Sequence, residues 1–259
     1  MSEESVIVTR KGGVAIIRLN EPKSMNAMSA GIKAGLDGCV PTLLEDDSVR
    51  SILITGTGEA FCAGGDIRNM GRATPASTRE RMRRSYRWAG RLLKAEKPIV
   101  TAVNGAAAGA GVSLALMGDV VIASKTAYFT TGFVKIGVVP DLGLLATLPR
   151  AVGTLRAKDM LLTSRKVSAE EAVQIGLATR LVEPAELLDK AMEVAEQFAN
   201  GPTIAYGLLK KMVSKAYDAS FDEFLDAEAF AQGTVMASED FIEGITAFRE
   251  KRRPKFNGN

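Results

Sequence analysis

From Pro98 to Gly118 the chain carries no charged side chain. A run of that length either crosses a bilayer or lies inside a folded core. Asn104, Gly105, Gly109, Gly111 and Gly118 break it up, which suits a buried strand, a turn and an apolar helix far better than one spanning helix. Ile99–Val103 reads as the strand, Asn104-Gly105 as the turn, and a small-residue segment then leads into a helix ending at Met117. Such a strand, covered on both faces, belongs to an α/β core.

The flanking segments agree. Val6–Arg10 and Val14–Leu19 flank Lys11-Gly12-Gly13 as a hairpin. Ser29 caps a helix to about Leu44, weakened by Gly31, Gly35 and Gly38. Ser51–Thr55 is a second short apolar strand, followed by a long loop from Gly56 to Asp66. A charged helix runs from about Thr78 to Leu93, and Val120–Ala123 is a further strand. Strands alternating with helices indicate an α/β fold. Beyond Glu183-Pro184 the pattern becomes helical, over Leu187–Ala199, Ile204–Ala216, Phe221–Ala237 and Asp240–Arg249, with Gly201-Pro202 as a break. Residues 1–200 therefore read as the core and 201–259 as a helical appendage, packed on that core or on another subunit.

The 259 residues include no histidine. Within one chain this excludes Ser-His-Asp and Cys-His nucleophile systems and histidine-ligated zinc or haem. Acid–base chemistry near neutral pH falls to Asp, Glu, Lys, Tyr, Cys or the backbone. Cys39 and Cys62 are too few for a disulfide framework or a four-cysteine metal site, and read as reduced thiols of a cytoplasmic protein. The opening Met-Ser-Glu-Glu is acidic and does not resemble a signal segment. A net charge of +3 does not indicate nucleic acid as a partner. Six arginines between Arg79 and Arg91 read either as a solvated helix face or as local attraction for a phosphorylated small molecule.

The glycine-rich segments do not complete a phosphate loop or a dinucleotide fingerprint. Gly111-Val112-Ser113-Leu114-Ala115 has the outline of a nucleophile elbow but lacks its histidine base. Two small-residue loops after strands remain, Phe61–Asp66 and Asn104–Gly111. Small residues allow tight turns and let a ligand reach backbone amides, and the second loop enters a helix whose N-terminus near Ala110 carries partial positive charge. If the two loops converge, their amides form an oxyanion hole. Loops that simply pack are the alternative. Tyr128, Phe129, Phe133 and Trp88 are core or acyl-pocket candidates.

FCAGGDI, AVNGAAAGAGVSLALMGDVVIA and FVKIGVVPDLG, in that order, resemble the crotonase, or enoyl-CoA hydratase/isomerase, superfamily, and the likeness extends from NEPKSMNAMS to FREKRRPKF. The resemblance implies a ββα spiral core, a C-terminal helical region that builds trimers or dimers of trimers, and an acyl-CoA thioester substrate. It implies no metal or redox cofactor, CoA being part of the substrate. The thioester oxygen would sit between the amides of Gly65 and Ala110. Contacts to the substrate would come from Lys23, Met25, Ala63, Asp66, Ile67 and Phe133, with Phe248 and Lys251 supplied by a neighbouring subunit.

At the two positions where hydratases of this superfamily carry glutamates, this chain has Ser113 and Phe133. Neither performs acid–base work near pH 7. Asp141, among apolar residues in VVPDLG, matches the acid–base position of the family's isomerases; it also suits an N-cap for a helix starting near Gly143, and the two uses are compatible. Asp66 reads as loop-holding. The expected activity is acyl-CoA double-bond isomerisation. The alternatives are hydration, isomerisation of a ring-epoxide CoA ester, and acyl-CoA binding without turnover.

Overall fold

The structure, a computed structural model, describes residues 4–259. Its strands are β1 (Val6–Lys11), β2 (Val14–Leu19), β3 (Ser51–Gly56), β4 (Ala60–Cys62), β5 (Ile99–Val103), β6 (Ala106–Ala108), β7 (Val120–Ser124), β8 (Tyr128–Thr130), β9 (Val167–Ser168) and β10 (Arg180–Val182). The helices are α1 (Ala30–Glu45), α2 (Pro75–Leu93), α3 (Ala110–Ala115), α4 (Leu144–Val152), α5 (Thr154–Thr163), α6 (Ala169–Gln174), α7 (Leu187–Ala199), α8 (Thr203–Lys215), α9 (Phe221–Met236) and α10 (Glu239–Arg249).

Two sheets share these strands, ordered β1-β2-β3-β5-β7-β10 and β4-β6-β8-β9. The hairpin of β1 and β2 is antiparallel, from Val6 opposite Leu19 to Lys11 opposite Val14, and every other pair of the first sheet is parallel. Three times the chain leaves the first sheet and at once adds a short strand to the second: β3 to β4, β5 to β6, β7 to β8. The charge-free stretch is thus two strands and the helix α3, and no helix of the described residues is long and apolar enough to cross a membrane.

Alternation along the strands sorts two cores. Ile17, Ile52, Ile54, Ile99 and Val103 face one side of the first sheet, into the larger core with α1, α2 and the second sheet. Val14, Leu53, Val100 and Ile122 face the other, where Leu187, Ala191, Val194 and Ala195 of α7 cover them. Arg50 fastens the remaining helices: its guanidinium donates to Thr203 Oγ1 at 3.0 Å, to the Gly201 carbonyl at 2.6 Å and to the Phe256 carbonyl at 3.0 Å. Beyond it, α9 buries none of its residues, and Tyr217, Phe221, Phe230 and Phe248 are all at least 74% exposed.

Several expectations need correcting. The segment Gly56–Asp66 is not all loop, since β4 lies within it; three residues are too short to show a period. Helix α2 starts at Pro75, capped reciprocally by Thr74 and Ser77, rather than near Thr78. Asp141 does not cap α4. Gly143 occupies that place at φ 86°, and only the Asp141 backbone carbonyl takes part, accepting from Leu144 N at 3.1 Å.

The turn at Asn104-Gly105 locks the two sheets together. The Asn104 amide donates to the carbonyls of Gly58 at 2.8 Å and Ala60 at 3.1 Å, and its oxygen accepts from Gly56 N at 3.2 Å. A Cβ on Gly105 would overlap the Glu59 carbonyl, whereas one on Gly38, exposed in α1, would meet nothing within 4 Å. Gly105→Ala is therefore expected to destabilise the fold by about 1–3 kcal/mol through overpacking. Gly38→Ala should instead stabilise it by about 0.5–1 kcal/mol through helix propensity. Urea denaturation of the two variants measures both signs.

Candidate active site

Strands β4 and β6 run parallel, Ala60 beside Ala106 and Cys62 beside Ala107, so both chains emerge from the second sheet at the same end. There Gly64 has φ 98° and Gly109 φ 50°, backbone that side chains other than glycine rarely adopt. The loops touch: a Cβ on Gly64 would stand 2.7 Å from the Ala108 carbonyl oxygen, and one on Gly111 would overlap the Cys62 carbonyl. The next residues are Gly65 and Ala110. The hydrogen bonds of this crossing are made by their neighbours: Gly109 N to Thr130 O at 2.8 Å, Met28 N to Gly64 O at 2.7 Å and Ala63 N to Met25 O at 2.9 Å. Ala110 opens α3, where first-turn amides have no intrahelical acceptor.

The loop before α1 completes this arrangement. Met25 and Asn26 both have positive φ, at 52° and 55°. Asn26, fully buried, donates to the carbonyls of Thr57 at 2.9 Å and Ala60 at 2.7 Å and accepts from Glu21 N at 2.9 Å. It pins Met25–Met28 beside Ala63–Gly65, and sequence reasoning missed it. A buried Asn in a left-handed turn leaves no periodic trace, and the asparagine within SMNAMS was its only signal.

Of the residues expected at the site, Met25, Ala63, Gly65 and Asp66 come together here, with exposed Ile67 and Lys23 on the same two loops. Asp66 holds its loop as expected, accepting from Arg68 N at 3.3 Å and Arg68 Nε at 2.8 Å. Phe133 is buried, its Cζ 3.8 Å from where a Gly109 Cβ would be. Trp88 and Phe129 belong to the core, and Tyr128 lies under Lys166, 3.7 Å from the ammonium to the ring centre. Phe248 is not brought to this crossing within the chain. It lines a cavity of about 460 Å³ with Ile204, Phe241, Ile245 and Phe256, and Lys251 follows two residues after α10.

Asp141 sits where α3 meets the segment before α4. The Ser113 hydroxyl, from α3, donates to the Asp141 backbone carbonyl at 3.1 Å. The carboxyl oxygen Oδ1 is buried and has no hydrogen-bond partner. Burial pushes this carboxyl above the ordinary carboxylate range, opposed first by Lys33, then by a hydrogen bond from its own backbone, and more weakly by Arg81. Burial also pushes the Cys62 thiol up to about 12, so it stays protonated. Lys33, Arg81 and Tyr86, whose phenol is pushed up by burial and by Asp141, were not anticipated as neighbours of this carboxyl. Charged residues on helices read as solvent-facing. No group of three or more Cys, Asp or Glu among the described residues could hold a metal ion.

Residues 9–259 match the family described as Enoyl-CoA hydratase/isomerase. The chain belongs to that family. The chain is 39% identical to the 1,2-epoxyphenylacetyl-CoA isomerase of Escherichia coli, covering 95% of each chain. It is 34% identical to the short-chain-enoyl-CoA hydratase of Clostridium acetobutylicum, covering 98% of this chain and 97% of that one. The crystal structure of an enoyl-CoA hydratase from Bacillus anthracis superposes with a TM-score of 0.93 at 30% identity, covering 98% of this chain and all of that one. Relatives of both names thus match this chain over nearly its whole length, and family membership alone does not separate the two activities.

A carboxyl with one buried oxygen left without a donor, its ionisation opposed by burial, costs stability when it is charged. At neutral pH Asp141→Asn is expected to be more stable than the parent chain. Because the folded-state carboxyl holds its proton more tightly than the unfolded one, the difference should shrink as pH falls and vanish once both states are protonated, below the ordinary aspartate range. Denaturation midpoints of both proteins from pH 7 to pH 3 test the sign.

Proposed function

We propose that this chain is an acyl-CoA double-bond isomerase that works through a thioester enolate. The thioester carbonyl oxygen accepts hydrogen bonds from the Gly65 and Ala110 amides. Asp141 removes a proton from the carbon α or γ to the carbonyl, the electron pair passes into a dienolate, and the protonated Asp141 returns the proton at the other position. Atoms and charge balance without a cofactor: the double bond moves and the carboxylate is regenerated. Preorganised amides supply about 2.7–4 kcal/mol per donor in comparable sites.

The observation that carries this reading is the Asp141 carboxyl, buried at Oδ1 without a donor. A carboxyl with one oxygen left without a donor can exchange a proton with a substrate carbon, and a raised pKa brings it closer to working pH. Ser113 and Phe133, at the positions resembling the hydratase glutamates, offer no second acid–base group, and Ser113 is engaged with the Asp141 backbone. Lys23, Met25, Ala63, Asp66 and Ile67 are assigned to the CoA thioester and Phe133 to the acyl pocket. The exposed apolar face of α8 to α10 fits a trimer or dimer of trimers, in which Phe248 and Lys251 would reach a neighbour's substrate. A cytoplasmic setting with reduced Cys39 and Cys62 completes the reading.

The name of the Escherichia coli relative favours a second substrate for the same chemistry, a ring-epoxide CoA ester.

Asp141→Asn is expected to lower turnover of enoyl-CoA esters by at least ~10²-fold while their affinity changes only a few-fold. Retained turnover would remove Asp141 from the mechanism. The parent enzyme should lose activity as pH falls through the raised Asp141 pKa, because the proton-accepting form disappears. With crotonyl-CoA, enoyl absorbance should persist; rapid formation of hydroxyacyl-CoA would overturn the isomerase reading in favour of hydration.

A further inference from the structure

Helix α3 buries all six of its residues, and five of them are apolar or glycine. Ser113 is the exception. A serine inside a helix ordinarily turns its hydroxyl back to the carbonyl one turn earlier. Here that carbonyl, of Gly109, already accepts from Val112 N at 3.0 Å and from Ser113 N at 3.4 Å. The Ser113 hydroxyl instead leaves the helix and donates to the Asp141 carbonyl at 3.1 Å. Alanine would suit a buried helical position better on propensity and would bury no polar atom. A serine that breaks the local pattern, and bonds to the segment carrying the assigned base, stands where function overrides local preference.

The segment it meets needs holding. Val138 and Val139 are exposed, Pro140 has a fixed φ, and the chain then turns through two consecutive left-handed residues, Leu142 at φ 51° and Gly143 at φ 86°. Glycine adopts such a value freely, whereas leucine does so only where its surroundings impose it. The Leu142 side chain is buried in the larger core, which fixes one side of this rotation. The other side is the peptide between Asp141 and Leu142, and its carbonyl is the group that Ser113 holds. Among the described residues, the hydrogen bonds that tie residues 139–142 to the rest of the chain both end on this carbonyl, from Ser113 Oγ and from Leu144 N at 3.1 Å. The second is local to the turn, so the first is the hydrogen bond that links the Asp141 segment to another element.

Ser113 stands three residues after Ala110 on the same short helix, which places the two on one face, one turn apart. The helix thus joins the amide assigned to the thioester oxygen to the backbone that carries the assigned base. Proton transfer between a carboxyl and a carbon is sensitive to that spacing, and about 1 Å of misplacement can cost on the order of 10²-fold in rate. We propose that Ser113 is a positioning residue for the reaction, its hydroxyl fixing Asp141 relative to the Ala110 amide by holding the Asp141 carbonyl. This rests on Asp141 as the base, a reading that Asp141→Asn tests by itself.

Ser113→Ala removes the hydroxyl and leaves the volume nearly unchanged. Its kcat for enoyl-CoA isomerisation is expected to fall about 10–100-fold, while KM stays within about two-fold because no contact to the substrate is lost. Calorimetric binding of butyryl-CoA, which has no double bond to move, should keep its affinity and its stoichiometry. Ser113→Cys, with a weaker donor of similar size, should fall between the parent and Ser113→Ala. In the Asp141→Asn background Ser113→Ala should lower the residual turnover no further, since the group it positions is gone. A merely structural serine would reduce the active fraction, and turnover would drop by the same factor in both backgrounds. Unchanged kcat in Ser113→Ala, or an equal loss in both backgrounds, would overturn the proposal, and an inactive Asp141→Asn would still leave the base in place. Retained turnover in Asp141→Asn would defeat the base assignment and the role of Ser113 with it.

Discussion

Where β4 and β6 leave the second sheet, main chain lies directly on main chain. The Cys62 carbonyl occupies the space a side chain at Gly111 would need, and the Glu59 carbonyl does the same at Gly105. Closeness of this kind is available only to glycine, and the rest of the site hangs on it. It sets Gly65 next to the start of α3, fixes where α3 points, and so fixes where Ser113 meets the Asp141 segment. Chemistry that relies on backbone amides gains from such rigidity, because donors already in place need no reorganisation when negative charge develops.

The side chains around this frame differ in how firmly they are held. Asn26 and Asn104 have their amides fully engaged by carbonyls of the 56–60 segment, and Asp66 is tied to Arg68. The Asp141 carboxyl lacks comparable restraint at Oδ1. The contrast is physically coherent. Groups that shape a loop are stabilising when every hydrogen bond is made, whereas a group that must gain and lose a proton needs an oxygen left over.

Much of the first sheet was legible because β3 and β5 are buried on both faces and show as unbroken apolar runs. The second sheet was hidden, since β4, β6 and β8 have three residues each and no pattern fits in so short a span. The start of α4 was legible near Gly143, whereas α5 and α6 were not read, α6 having only six residues. The paired loops could be read as backbone-exposing from their small residues, but their meeting is a tertiary fact that spacing does not encode. Asp141 stood out only through the family likeness, as one aspartate among many. Lys33 and Asn26 were missed because a helical lysine and a loop asparagine are, by type, surface residues; only burial in the folded chain reveals otherwise.

The Arg50 guanidinium binds three partners that lie 151, 153 and 206 residues further along the chain. While the protein is being synthesised, the edge of β3 therefore has its anchoring cation long before the carbonyls of Gly201 and Phe256 have left the ribosome. The sheets and α1 can settle in that interval, and α8 can dock first through Lys210, which pairs with Asp119 at 2.6 Å and donates to the Lys97 carbonyl at 2.7 Å. The Phe256 carbonyl completes the Arg50 anchor last, so closure of the C-terminal segment becomes a late event in the maturation of each chain.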